Sequence, residues 1–363
     1  MKQYQIRFLD HAIESRALKT GKGEFTLKSG RVADYFFNLG EAMKSGKGLS
    51  IVSRCYADMI QESFDNGDGC DFLLGPAYKG IPLAATVAQE LSKRGTNKRY
   101  GFAFKESVPL YISTEDIVSS IDDIDVVDII ELDGIPSDGD HARDLAKHYA
   151  REISELNFDS VLGEAYGGIV CASVILKELF ESQGNDKRWA YNRREEKLYG
   201  DRSEVKMVGD LKKGDRVLIL KTKQELKRGD IWKPGEDVPD GYAKVQLWKY
   251  VIGDLRDGDR VSETEDVITT GDTKIEAWKL MTQEKANLHP ADIYLGLNRQ
   301  ETTKDGRSPI KVVEEAGWRV KSILEARPTF FSLHKKDLGK GIGVIVDDDT
   351  LQSFIEYQKK YGV

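Results

Sequence analysis

Apolar and polar positions switch between two periods along this chain. Residues 4–18 place Ile6, Phe8, Leu9, Ala12 and Ile13 at helical spacing, and Gly21 and Gly23 end the run. Two short strands follow around a basic turn, Glu24 to Arg31 and Tyr35 to Asn38. Leu49 to Glu62 reads as an amphipathic helix with Ile51, Cys55, Tyr56, Met59 and Ile60 on one side. Asp71 to Leu74 is a short apolar strand closed by Gly75-Pro76-Ala77-Tyr78-Lys79-Gly80. A helix from Ile81 to about Ser92 and a strand from Arg99 to Phe104 complete the run. Strands alternating with helices of this length predict an α/β fold, a parallel sheet covered on both faces.

The pattern then recurs. Gly163-Glu164-Ala165-Tyr166-Gly167-Gly168-Ile169 matches Gly75 to Ile81 at an offset of 88, and Glu178-Leu179 matches Glu90-Leu91 at the same offset. Lys187-Arg188-Trp189 matches Lys98-Arg99-Tyr100 after a one-residue slip, and His148-Tyr149-Ala150 echoes Cys55-Tyr56-Ala57. A partial internal duplication of a β–α–β unit accounts for this, and two copies are too few for a solenoid. A shorter echo relates Gly209–Val217 to Gly253–Val261. The first leads into Leu218-Ile219-Leu220, a good buried strand with no phosphate loop behind it. The second leads into Ser262-Glu263-Thr264, a poor buried strand, and then into such a loop. Residues 221–264 are therefore expected to be an inserted β-rich excursion, with Leu220 and Glu265 joined in one strand. The alternative is that Val261–Thr264 is itself an irregular strand.

Composition narrows the partners. The 363 residues carry 54 basic and 61 acidic side chains, a net charge of −7, which argues against a nucleic-acid footprint. Cys55, Cys70 and Cys171 show no metal or disulfide spacing and point to a reducing compartment. The N-terminus lacks an uninterrupted apolar stretch, and no apolar run is long enough to span a bilayer, so a soluble, cytoplasmic protein is expected.

The chemistry concentrates at Glu265-Asp266-Val267-Ile268-Thr269-Thr270-Gly271-Asp272-Thr273, two carboxylates, two β-branched residues and a Thr/Gly turn, followed by a helix pattern through Ile275, Ala277, Trp278, Leu280 and Met281. Strand, small-residue loop and helix make an anion cradle, because loop N–H groups and the helix dipole converge on one spot. The carboxylates cannot serve a phosphate, but they can take hydroxyls or a ligand-borne Mg²⁺. A ribose 5-phosphate fits both halves.

This nonapeptide resembles the phosphoribosyl-pyrophosphate (PRPP) loop of the type I phosphoribosyltransferases. With FTLKSGR (25–31), YFFN (35–38), GPAYKGIPLA (75–84), NRREEKLYG (192–200) and LNRQE (297–301) in the expected order, the chain is similar to the orotate phosphoribosyltransferases in particular. The resemblance implies a hood, a parallel core flanked by helices, and inserted segments. It divides the chain into hood and first half of the core (1–105), a partial duplicate carrying a mobile cationic loop (106–220), the excursion (221–264), and the PRPP loop with the remaining core (265–363). It implies transfer of the phosphoribosyl group of PRPP to orotate, giving orotidine 5′-phosphate and pyrophosphate, with Mg²⁺ carried by the diphosphate and no direct protein ligand to the metal. A homodimer is expected.

Residue by residue, the resemblance assigns Lys28, Lys79, Arg193, Arg194, Lys197 and Asp266 to catalysis. PRPP would be held by Lys28, Tyr78, Lys79, Arg193, Arg194, Lys197, Tyr199, Glu265 and Asp266, with the cradle Val267, Ile268, Thr269, Thr270, Gly271, Asp272 and Thr273. Orotate would be held by Phe36, Phe37, Thr269 and Arg299. The loop at Tyr78 is expected to contain a non-proline cis peptide, and Tyr199 stands where many members have His. Gly167 replaces Lys79 in the second copy, so that copy is expected to have lost its diphosphate site and to pack on the first as a pseudo-subunit. A PRPP-binding regulatory or inactive relative, and a transferase for another base, are the competing readings.

Overall fold

The repeated β–α–β pattern builds two separate sheets rather than one enlarged sheet. The computed structural model describes residues 1–27, 31–103, 124–132, 134–192, 207–222, 246–247, 251–303, 305–339 and 341–363. Helix α1 (Gln3–Glu14) ends short of the predicted 18, because Leu18 already opens β1 (Leu18–Thr26), which pairs antiparallel with β2 (Val32–Phe37). Asn38 caps the one-turn α2 (Leu39–Ala42) by accepting from Gly40 N, and Ser45 caps α3 (Gly46–Asp65) through Gly48 N. Then come β3 (Phe72–Pro76), α4 (Gly80–Lys93) and β4 (Arg99–Ala103). The second unit comprises β5 (Asp125–Leu132), α5 (Gly139–Ile153), β6 (Ser160–Gly163), α6 (Gly167–Gln183), β7 (Arg188–Asn192), β8 (Met207–Gly209) and β9 (Arg216–Thr222). The chain returns to the first through β10 (Gln246–Leu247), β11 (Val251–Gly253), β12 (Arg260–Glu265), α7 (Asp272–Glu284) and β13 (His289–Asn298). It ends with α8 (Pro309–Glu315), β14 (Arg319–Glu325), α9 (Ala326–Leu333) and α10 (Asp348–Tyr361).

The first sheet has the order β10-β11-β4-β3-β12-β13-β14, parallel from β4 to β14, with β11 antiparallel to β4 and β10 antiparallel to β11 at the edge. The second has the order β5-β9-β6-β7-β8, parallel except for the edge strand β8. This corrects the expected excursion at 221–264. Leu220 and Glu265 do not share a strand: β9 lies beside β6 in the second sheet, while β12 lies between β3 and β13 in the first. The shorter echo marks equivalent strands of two sheets. Strand β12 tolerates Ser262, Glu263 and Thr264 because each polar group is met. Ser262 Oγ accepts from Asp292 N at 3.3 Å, Thr264 Oγ1 donates to Leu74 O at 3.5 Å, and Glu263 pairs with Lys274.

Helices α3 and α4 pack against α5 and α6 over a continuous core that includes Leu49, Leu83, Val87, Leu145, Ile169 and Leu176. The contact has an internal two-fold character, since each bond is made twice with roles exchanged. Gly46 N donates to Lys187 O at 3.2 Å and Gly139 N to Lys98 O at 3.0 Å; Trp189 N donates to Lys44 O and Tyr100 N to Ser137 O, both at 3.1 Å. Both helix starts require glycine. A Cβ on Gly46 would lie 2.3 Å from Leu176 O, and one on Gly139 would lie 2.2 Å from Ala88 O.

The opposite face of the first sheet is closed by Met281 of α7 and Val313 of α8 over Leu74, Val261, Ile293 and Leu295. The β1–β2 hairpin is held from the C-terminal region, with Thr20 donating to Ile345 O at 2.7 Å and Ser353 to Asp34 Oδ1 at 2.9 Å. Among the described residues no helix is long and apolar enough to cross a membrane.

Candidate active site

The site lies at the carboxyl ends of β3 and β12, neighbours in the first sheet, where open parallel sheets place their ligands. Strand β3 turns into α4 so sharply that a Cβ on Gly75 would meet Gly80 O at 2.0 Å. The turn carries Tyr78 and Lys79, and the Ala77–Tyr78 peptide is cis, as is Ala165–Tyr166 in the second unit. Strand β12 ends in Glu265 and Asp266. Asp266 O accepts from Gly296 N and Leu297 N, each at 3.1 Å, and Tyr56 donates to Glu265 O at 2.7 Å, so the backbone beneath both carboxylates is fixed. Val267 is half-buried, Ile268 is in the core, and Thr269 and Thr270 are exposed. Gly271 takes a φ of 82° and caps α7, with Lys274 N and Ile275 N donating back to its carbonyl. Thr269 to Gly271 thus sit at the amino end of a 13-residue helix, the position that favours an anion. Asp272 turns outward, 3.6 Å from Arg307, and Thr273 lies in the first helical turn.

Two ion pairs organise the carboxylates. Lys79 Nζ donates to Asp266 Oδ2 at 2.6 Å, joining the ends of β3 and β12. Asp266 Oδ1 also accepts from Val267 N at 2.8 Å. Burial opposes the Asp266 charge, yet Lys79 and these hydrogen bonds hold its carboxyl below the usual range. Behind it, Lys274 of α7 reaches back to both Glu263 and Glu265, which share one face of β12 at the two-residue period of a strand. Burial, with Asp266 and Glu263 nearby, pushes the Glu265 carboxyl up to about 7 against the pull of Lys274. Burial opposes the Lys274 charge, but its two carboxylates raise its pKa.

The raised Glu265 sets a pH dependence of stability. The folded chain binds this proton more tightly than the unfolded chain, so between the ordinary 4.5 and about 7 stability falls as pH rises. The loss is about 3 kcal/mol and is complete above neutrality. In Glu265→Gln that component should vanish. Urea unfolding of both proteins at pH 5 and pH 7.5 checks it; equal pH slopes would rule it out.

The other predicted residues divide. Phe37 is a core residue, 6.3 Å from the Phe8 ring, so its ring cannot flank a planar acceptor; Phe36 lies on the other face, half-buried and stacked on Phe25 at 6.2 Å. The Tyr78 ring stacks with Tyr166 at 5.8 Å and Tyr191 at 6.5 Å. Arg299 is drawn inward at the end of β13. It is 8% exposed, its guanidinium lies 4.9 Å from the Tyr35 ring centre, and its Nε donates to Glu301 Oε1 at 3.0 Å. Tyr35 and Tyr357 also donate to Glu301, at 2.6 and 3.0 Å. The arginine joins a knot that ties β2 and α10 to the end of β13, while its buried Nη2 makes no hydrogen bond. Arg31 is likewise engaged, donating to Thr302 O and Thr303 O at 2.6 Å. Lys28, Arg193, Arg194, Lys197 and Tyr199 lie outside the described residues.

The second unit's equivalent turn cannot host a lysine. A Cβ at Gly167 would come within 2.5 Å of the Thr222 side chain, and Ala165 N donates to Asn192 Oδ1 at 2.7 Å across the turn. Sequence reasoning missed Lys274 and Glu263. Their signal was Glu263 and Glu265 two apart on one strand, with a lysine in the first turn of the helix that follows.

No protein-family model matches the chain. Over 93 residues, 26% of this chain and 41% of the relative, it is 47% identical to an orotate phosphoribosyltransferase of Photorhabdus laumondii subsp. laumondii. Over 111 residues, 30% of this chain and 46% of the relative, it is 48% identical to an orotate phosphoribosyltransferase of Kluyveromyces lactis. Among solved structures, an orotate phosphoribosyltransferase of Francisella tularensis aligns at 18% identity with a TM-score of 0.48, covering 98% of this chain and 99% of that one. The chain thus spans less than half the length of the curated relatives it matches.

Proposed function

We propose that the chain transfers the phosphoribosyl group of PRPP to orotate, giving orotidine 5′-phosphate and pyrophosphate for pyrimidine synthesis. The observation that carries this reading is the Lys79–Asp266 pair, held across two adjacent strand ends in front of the Thr269–Gly271 helix start. The 5-phosphate sits on the loop N–H groups at the head of α7. Asp266, with Glu265 beside it, takes the ribose hydroxyls, and Lys79 leaves Asp266 to meet the diphosphate. Charge then builds on the leaving diphosphate oxygens as N1 of orotate closes on C1 of the ribose, and fixed cations lower that barrier. In this reading Arg193, Arg194, Lys197 and Lys28 supply further positive charge to the reaction. What supports their action within the same chain is that β7 ends at Asn192, immediately before Arg193 in sequence. Its Tyr191 stacks beside Tyr78, next to Lys79.

In this reading Asp266 and Glu265 would lie beside a diphosphate-borne Mg²⁺, whose charge would offset that of the leaving group. Among the described residues no three acidic, His or Cys side chains gather to hold a metal unaided, while Asp266 and Glu265 suit a ligand-borne ion. A cytoplasmic location goes with this reading, where Cys55, Cys70 and Cys171, all buried free thiols, stay reduced.

The test is loss of orotate ultraviolet absorbance with PRPP and Mg²⁺, with Lys197→Ala as control. Turnover is expected, and it should fall by about 10²-fold or more in the variant. Arg299, drawn onto Glu301, favours two other readings, a PRPP-binding relative and a transferase for another base. PRPP binding without orotate consumption would select this pair, and pyrophosphate release with another base would decide for the second.

A further inference from the structure

The contact of α3 and α4 with α5 and α6 carries charges at its pseudo-two-fold centre that the proposed reaction does not use. Lys93 of α4 reaches Glu178 and Glu181 of α6, both at 2.6 Å. Lys177 of α6, fully buried, lies 3.0 Å from Glu90 of α4 and 3.1 Å from Glu181 on its own helix. From α3, Arg54 reaches Glu181 at 3.0 Å, and Ser50 Oγ donates to it at 2.6 Å. Arg94 also approaches Glu90, at 3.2 Å, and is matched by Asp58 of its own unit at 2.8 Å.

The internal offset shows what a symmetric pairing would bring together. Position 93 of the first copy corresponds to 181 of the second, as Glu90 corresponds to Glu178 and Tyr78 to Tyr166. Tyr78 stacks on its own counterpart at 5.8 Å, and Lys93 likewise meets its own counterpart, which here has the opposite charge. Two first units paired in this way would set Lys93 against Lys93 with an Arg54 beside each, four cations facing two copies of Glu90. Two second units would set Glu181 against Glu181. Like charges opposed in a desolvated contact repel strongly, and each would lose the opposite charge it meets here, Lys93 the Glu181 carboxylate and Glu181 the Lys93 ammonium. Pairing first on second removes both conflicts.

We propose that this surface is an interface specialised for the chain's own second unit. Its central charges select first-on-second pairing and reject like-on-like, so one chain supplies both halves of a two-fold assembly and remains monomeric. The homodimer expected from the sequence resemblance is replaced by an intrachain pair. The second unit also finishes the walls of the site, through Tyr166 and Tyr191 on Tyr78. The inference holds whichever reaction the site performs.

The 363-residue chain tests it. Sedimentation equilibrium should give the 40.8 kDa of one chain. With a short bismaleimide, Lys93→Cys/Glu181→Cys should close within one chain, while each single variant stays uncrosslinked; the native thiols are buried. Lys93→Glu should lower Tm by roughly 5–10 °C, and adding Glu181→Lys should regain at least half of that. Twice the chain mass, covalent dimers from either single-cysteine variant, or an unchanged Tm in Lys93→Glu would overturn the proposal.

Discussion

Lys79→Ala is expected to lower turnover in the orotate assay by about 10²–10³-fold, with a smaller effect on folding. Lys79 is the described cation nearest the proposed leaving group, and its withdrawal acts twice. The diphosphate loses a fixed positive charge where the transition state builds negative charge. Asp266 loses the 2.6 Å partner that holds its carboxyl low, so its pKa rises and fewer molecules present the ionised form to the ribose hydroxyls. The Lys79 side chain is 29% exposed and that of Asp266 12%, so water reaches the pair and the stability loss should stay near 2 kcal/mol. Steady-state rates at saturating PRPP, read with the urea midpoint, separate the two effects. Wild-type turnover in the variant would remove Lys79 from the mechanism. A rate loss that followed the unfolding midpoint alone would make it structural. Lys79→Arg should retain part of the rate, because the charge survives while the reach changes.

The parts of the site carried by backbone-determined motifs were legible from residue order alone. Gly75 and Gly80 sit where the backbone closes on itself, Gly271 where φ is positive, and Thr269–Thr270 where a loop meets a helix; each residue type is dictated by local geometry. What was not legible depends on contacts distant in sequence. Nothing near Arg299 announces that Tyr35 and Tyr357 will deliver hydroxyls to Glu301 and draw the guanidinium inward. Phe36 and Phe37 read alike in sequence, yet strand alternation sends Phe37 into the core against Phe8. The same limit governs the fold. The internal offset revealed the duplication because Gly163–Ile169 repeats a turn whose sequence is constrained. It did not reveal that β5, upstream of its partners, takes in the second sheet the place beside β9 that β13 holds beside β12 in the first. Nor did Ser262-Glu263-Thr264 look like a buried strand, because hydropathy prices Glu263 without Lys274.

That pairing yields the largest stability effect expected of a single substitution here. Lys274→Met should destabilise the chain by about 3–5 kcal/mol and lower Tm by roughly 10 °C. The Lys274 side chain is 8% exposed and that of Glu263 only 2%, so removing the ammonium strands two carboxylates side by side with almost no water to solvate them. Glu265 can respond by taking up a proton, because burial and its like-charged neighbours already favour its neutral form near pH 7. Glu263, only 2% exposed, loses its ion-pair partner altogether. The double variant Glu263→Leu/Lys274→Met replaces the buried pair with apolar groups. It should recover most of the loss, because a matched hydrophobic pair avoids the desolvation that a lone buried ion cannot. A thermal-melt cycle over wild type, the two single variants and the double measures the coupling directly. Losses that simply add would mean that the two charges do not depend on each other. A Lys274→Met chain that melts with wild type would show that the carboxylates reach water despite their burial. Coupling with recovery in the double would also place the α7 lysine as the group that lets acidic residues occupy the central strand, and so lets Glu265 stand beside Asp266 at its end.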